Sequence, residues 1–166
     1  MIQWSLKHFN ELGLSELYAL MRLRQVVFSV EQDCAYEDAD GADLDAYHVL
    51  GFQAGQLHAY ARILKPGARY EQASIGRVIT ASAIRGTGFG RELMRVAIEH
   101  CAQLFPEASV RISAQARLEK FYQSLGFVSD GEPYQEDNIP HLVMNLAAPR
   151  SRMTQRKTVQ TIHSKI

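Results

Sequence analysis

Cysteine is scarce in this chain. The 166 residues hold two, Cys34 and Cys101, which form neither a disulfide framework nor a metal-ligand spacing. Cys101 falls on the apolar side of a helical run and reads as core. No apolar run approaches the roughly 20 residues a membrane-spanning helix needs. Met1-Ile2-Gln3-Trp4 lacks the charged and apolar regions of a signal peptide, so a reducing cytoplasm is the expected compartment. Net charge is missing too, with 18 basic against 18 acidic residues. That balance is uneven along the chain. Every acidic residue lies at or before Asp137, whereas from residue 147 onward the charges are Arg150, Arg152, Arg156, Lys157 and Lys165. Residues 1–146 are therefore net acidic, which argues against a nucleic-acid-binding surface. With 46% apolar residues the whole chain has enough core for one domain. Residues 147–166 read as a flexible basic extension to which no function is assigned.

What is present centres on Arg85-Gly86-Thr87-Gly88-Phe89-Gly90. The run before it, residues 74–80, is apolar and extended. The run after it places Phe89, Leu93, Ala97, Cys101 and Leu104 on one helical face. Three glycines between a strand and a helix leave backbone N–H groups uncovered where the helix dipole is positive, a natural anion site. A P-loop is excluded because Arg91-Glu92 follows where Lys-Ser or Lys-Thr is required. A dinucleotide fingerprint is excluded because its third glycine position holds Arg91. What remains is R-x-x-G-x-G. About thirty residues later stands Gln115-Ala116-Arg117-Leu118-Glu119-Lys120-Phe121-Tyr122, closing on Gly126-Phe127. Leu118, Phe121, Tyr122 and Leu125 share a helical face, and Gly126 sits where a left-handed C-cap belongs.

In these two motifs, and in their order, the chain resembles the GNAT superfamily of acetyl-CoA-dependent N-acetyltransferases. It resembles the ElaA-type members further, through Arg24-x-x-x-Phe28-x-x-Glu31-Gln32, Asp38-x-Asp40-Gly41, Tyr60-Ala61-Arg62-Ile63-Leu64 and Asn138-Ile139-Pro140-His141. The resemblance covers roughly residues 1–146. It implies an α+β fold in which a mixed, mostly antiparallel sheet carries helices on both faces and two central strands splay into a cleft. It also implies acetyl-CoA as cosubstrate, no metal, and an amine acceptor of small-molecule or peptidic kind. A homodimer is left open.

The order of elements read from the residues fits that fold. Strands are expected over 2–6, 47–52, 57–64, 74–80, 109–113, 127–129 and 142–146, the last two flanking a polar loop. Helices are expected from a Ser15 cap through Phe28, over 89–104 and over 116–125, and an acidic loop over 33–45.

The resemblance assigns the backbone of Val78, Ile79 and Thr80 to the pantetheine arm. It assigns the amides of Gly86, Thr87, Gly88, Phe89 and Gly90 to the pyrophosphate, with Arg85 and Arg91 beside it. Gln115 takes the position of the family's Asn. Tyr122 matches the tyrosine beside the coenzyme sulfur and is the candidate general acid. The carboxylate many members carry on the strand before the glycine turn is missing; Gly76 and Arg77 stand there. Glu31, His48, Glu136 and His141 are the base candidates, with water relay as an alternative, and His141 is taken first. Arg24, Phe28 and Glu31, at i, i+4 and i+7, are expected to line an acceptor pocket with Arg62 and Arg77. The carboxylates of Glu37, Asp38, Asp40, Asp43 and Asp45 are expected to favour a cationic amine. Two rivals stand beside this reading: an acyl-homoserine-lactone-synthase-like enzyme, echoed by Arg24, Phe28, Asp43 or Asp45, and Arg62, and a non-catalytic acyl-CoA-binding protein.

Overall fold

The structure is a computed structural model, and it describes residues 1–149. Most of the expected basic extension, from residue 150 onward, lies outside the described residues. A seven-stranded sheet runs in the order β1-β2-β3-β4-β5-β7-β6. Its strands are β1 (Gln3–His8), β2 (Tyr47–Gln53), β3 (Gln56–Leu64), β4 (Ala73–Thr80), β5 (Val110–Gln115), β6 (Val128–Glu136) and β7 (Ile139–Leu146). Every pairing is antiparallel except β4 with β5. The helices are α1 (Leu14–Arg24), α2 (Phe89–Leu104) and the short α3 (Glu119–Gln123).

Alternation in the sequence decides which side of each strand is covered. Along β5, Val110, Ile112 and Ala114 are buried while Arg111, Ser113 and Gln115 are not; along β7, Leu142, Met144 and Leu146 are buried while His141, Val143 and Asn145 are not. The buried set packs with Leu93, Met94, Ala97 and Cys101 of α2 into the main core. Leu20 and Leu23 of α1, with Val27, close a second core against Leu50, Tyr60 and Ile79 on the opposite side of the sheet. The partly exposed residues of β5 and β7 belong to that second side, beyond the reach of α1. This half of the sheet presents a polar face to the cleft described below.

Two sequence expectations are corrected at the ends of elements. The α1 N-cap is Gly13 rather than Ser15, because the Glu16 carboxylate reaches back to accept from the Gly13 N–H at 2.8 Å. The polar loop expected before the last strand is largely strand. β6 and β7 form one hairpin in which Tyr134 faces His141 and Glu136 faces Ile139. Asp137 and Asn138 make its two-residue turn, both at positive φ (50° and 60°), the geometry that matches the twist of a hairpin.

Candidate active site

β4 and β5 pair only at Ala73–Val110 and Ser74–Arg111, and beyond that point they separate. A β-bulge drives the separation. Between Tyr60–Ile79 and Arg62–Gly76, β3 supplies one intervening residue and β4 supplies two, Arg77 and Val78. Arg77 takes a left-handed conformation, φ 51°, which a non-glycine residue inside a strand adopts only when its surroundings hold it. Its holders are on the loop after α1. Arg77 Nε lies 2.7 Å from Asp38 Oδ1, Nη2 lies 3.3 Å from Asp40 Oδ2, and the guanidinium sits over the rings of Phe28 and Tyr36. The Nε–Asp38 contact is an ion pair at close range whose N–H is not aimed along a hydrogen bond.

The separation opens a cleft of about 1030 Å³. Val78, Ile79 and Thr80 line one wall, and Ser113, Gln115, Tyr122 and His141 the other; Phe28, Glu31, Arg77 and Arg85 also border it. The glycine turn follows directly after Arg85, which borders the cleft. Gly86 and Gly88 have φ of 78° and 90°, and Gly88 is the N-cap of the 16-residue α2. A Cβ at Gly86, Gly88 or Gly90 would meet nothing within 4 Å, so this helix N-terminus faces open space. Backbone amides at the positive end of a helix, bared by glycine, are suited to phosphate oxygens, so the turn itself fits a coenzyme pyrophosphate.

The two flanking arginines are already engaged. Arg85 donates to the Thr80 carbonyl at 2.9 Å and pairs with Glu31 Oε2 at 2.6 Å. Arg91 donates to Ser124 Oγ at 2.8 Å and lies over the ring of Phe121. Gln115 accepts from Arg117 at 2.9 Å, at the end of β5 where it faces His141.

Tyr122 is 7% exposed and packs edge-on against Phe121 and Phe127. Burial pushes its phenol up to about 12, so it is protonated at neutral pH. His141 donates from Nδ1 to the Ile139 carbonyl at 2.7 Å, because a carbonyl can only accept; the neutral ring then carries its free lone pair on Nε2. His48 is fully buried, between the Tyr60 hydroxyl at 2.8 Å and the Asp43 carbonyl at 3.1 Å, and is not a cleft residue.

Arg24 is not at the cleft either. From Gln25 the helix widens into a seven-residue π-helical stretch, Gln25–Glu31, with Gln32 N–H donating to the Val27 carbonyl five residues back. Residues 24, 28 and 31 therefore do not form the single stripe that a constant 3.6-residue period implies. Phe28 and Glu31 turn to the cleft, while Arg24 is 0% exposed and spends its donors on Asp38 and Asp43. Arg62 borders the cleft, but it too spends its donors on carboxylates, Asp40 and Asp43. Three of the five carboxylates expected to attract a cation are thus neutralised by Arg24, Arg62 and Arg77.

Sequence reasoning missed a further polar group on the cleft. Ser113 donates to Glu136 Oε2 at 2.7 Å and is hydrogen-bonded to the Tyr134 hydroxyl. Ser113 was legible only as a strand residue, and Tyr134 fell in the expected loop. Among the described residues no group of three or more His, Cys, Asp or Glu is gathered as for a metal, and no helix is long and apolar enough to cross a membrane.

A β-bulged strand thus parts from its parallel neighbour, and a bared helix N-terminus follows it in the chain. The chain belongs to the GNAT acetyltransferases: the family model for an acetyltransferase (GNAT) domain matches residues 22–148. The protein is therefore an acyl-CoA-dependent acyltransferase by family. It is 49% identical over 146 residues to protein ElaA of Escherichia coli, covering 87% of this chain and 95% of that one. The crystal structure of E. coli ElaA superposes with a TM-score of 0.84 at 47% identity, over 88% of this chain and 99% of that one. An acyl-CoA N-acyltransferase from Pseudomonas aeruginosa superposes with a TM-score of 0.85 at 45% identity, over 89% of this chain and all of the other.

Proposed function

We propose that the protein transfers the acetyl group of acetyl-CoA to a primary amine by direct attack. The observation that carries this reading is one cleft bordered by the opened β4 edge, Tyr122 and Arg85, with the glycine turn directly after Arg85. The amides around Gly86 to Gly90 hold the pyrophosphate, with Arg85 and Arg91 at its flanks. The free edge of Val78, Ile79 and Thr80 hydrogen-bonds the pantetheine arm as a neighbouring strand would. A backbone N–H at the bulge near Ile79 polarises the thioester carbonyl and stabilises the oxyanion.

The amine nitrogen bonds to the thioester carbon, the carbon–sulfur bond breaks, and the electron pair leaves on sulfur. Tyr122 gives its phenolic proton to that thiolate. His141 Nε2 takes the proton lost by the amine, directly or through water. Of the two histidines among the four base candidates it is the one bordering the cleft, and Nδ1 donation to Ile139 leaves its Nε2 lone pair free. Glu31 is held by Arg85, His48 is enclosed, and Glu136 accepts from Ser113.

The test is acetyl-CoA turnover over a panel of primary amines, followed by thiol release and product mass. Acetylated amine carries the proposal. Tight acetyl-CoA binding without acetylation of any amine overturns it, in favour of an acyl-CoA-binding protein.

A further inference from the structure

The acidic character of the cleft has moved from where the sequence puts it. The carboxylates bordering the cleft are Glu31, Asp40, Glu136 and Asp137. Glu31 is paired with Arg85 at 2.6 Å, and Asp40 accepts from Arg62 at 2.7 Å and 2.9 Å. Glu136, on the polar side of the β6–β7 hairpin, is different. Its Oε2 accepts from Ser113 Oγ at 2.7 Å, and the Tyr134 hydroxyl completes a chain of donors, Tyr134 to Ser113 to Glu136. Such a chain fixes the carboxylate and its charge without neutralising it. Oε1 has only Arg69, at 3.8 Å, outside hydrogen-bonding range, and both side chains of that pair are substantially exposed.

Ser113, Glu136 and His141 share the uncovered polar face, because Ser113 alternates with buried Ile112 and Ala114, and His141 with buried Leu142. Tyr134 is paired directly with His141, and their rings lie 6.1 Å apart. The oriented carboxylate therefore sits on the same wall as the group that takes the amine's proton.

We infer that Glu136, oriented by Ser113 and Tyr134, is a subsite for a second cationic group of the acceptor, so that the preferred substrate is a diamine or a lysine-like chain bearing two ammonium groups. The inference rests on the proposed N-acetyltransfer for the reacting end alone; binding at the subsite is independent of it. The ammonium donates to the open Oε1 and displaces the loose Arg69 contact.

The test compares cadaverine, n-pentylamine and aminovalerate, which share a chain and differ at the far end. Turnover is measured for wild type and Glu136→Gln, and cadaverine binding is measured by calorimetry on protein saturated with coenzyme A. Wild type is expected to prefer cadaverine over n-pentylamine by about tenfold in kcat/KM, with aminovalerate last, as charge complementarity demands. Glu136→Gln should bring the cadaverine preference close to unity and weaken cadaverine binding by a similar factor. Ser113→Ala should give a smaller loss in the same direction. Equal use of cadaverine and n-pentylamine by wild type, or an unchanged preference in folded Glu136→Gln, overturns the subsite and leaves the proposed reaction standing. Glu136-dependent cadaverine binding without acetylation of any amine sustains the subsite and overturns the reaction.

Discussion

Arg77 and Asp38 tie the bulged strand of the cleft to the loop that follows the first helix, with Nε 2.7 Å from Oδ1. Asp38 also accepts from Nε of Arg24 at 2.6 Å, so one carboxylate serves a wholly buried guanidinium and the residue that holds the bulge. Asp38→Ala leaves both cations short of a partner. Breaking a buried pair from one side costs about 3–5 kcal/mol, because the remaining charge is stranded. Denaturant unfolding of Asp38→Ala should show a loss of that order with an unchanged slope. A loss below about 1 kcal/mol, the range of a surface pair, would show that the network is solvated.

The same network gives stability a defined pH dependence. Hydrogen bonds from Arg62 hold the Asp40 carboxyl well below its usual range. Burial raises the Asp43 carboxyl, but Arg24 and Arg62 outweigh it and leave the net shift downward. Folded carboxyls that resist protonation contribute stability that is full above their unfolded pKa, near 4, and lost as pH falls toward the folded values. Burial likewise holds His48 below its usual value, so its contribution starts to fall away below about pH 6.5. Tm should therefore decline monotonically from pH 8 to pH 3, and Asp40→Asn should shallow the slope below about pH 5. A rise in Tm on acidification would contradict the assignment.

Tyr122→Phe should lower kcat by about 10²-fold, the scale of a lost positioned proton donor, with little change in coenzyme affinity. With the phenol pushed up to about 12, the wild-type rate should show no loss from Tyr122 ionisation up to about pH 10. Wild-type turnover in Tyr122→Phe would make the residue part of the packing alone and water the proton donor.

Acetyl-CoA at about 100 Kd should stabilise the folded protein by roughly 2.7 kcal/mol if it binds only that state. Gly88→Val should abolish the shift, because φ of 90° is strained for any side chain and sets the first turn of α2. Differential scanning of a folded Gly88→Val protein checks this. A retained shift would place the pyrophosphate elsewhere.

By itself the sequence determined the order of strands and helices, the glycine turn before α2 and the place of Tyr122, because each is written in local pattern. Alternation, a 3.6-residue period and glycine punctuation act over a few neighbours and survive into the structure. The bulge at Arg77 was not legible, since one extra residue in β4 is defined only against β3. Nor was the position of Arg24, which a change of helix pitch at Gln25 turns toward Asp38 and Asp43. The tip of the β6–β7 hairpin falls in the loop expected between the last two strands because that half of β6 is polar, and its pairing with β7 rather than its own apolar content makes it a strand. Charge shows the division most plainly. The sequence counts the carboxylates of residues 37–45 as one acidic patch, but the tertiary structure brings Arg24, Arg62 and Arg77 onto Asp38, Asp40 and Asp43 and leaves Glu136 loosely paired at the cleft. Coulombic pairing depends on distance in space, and folding alone sets which charges meet.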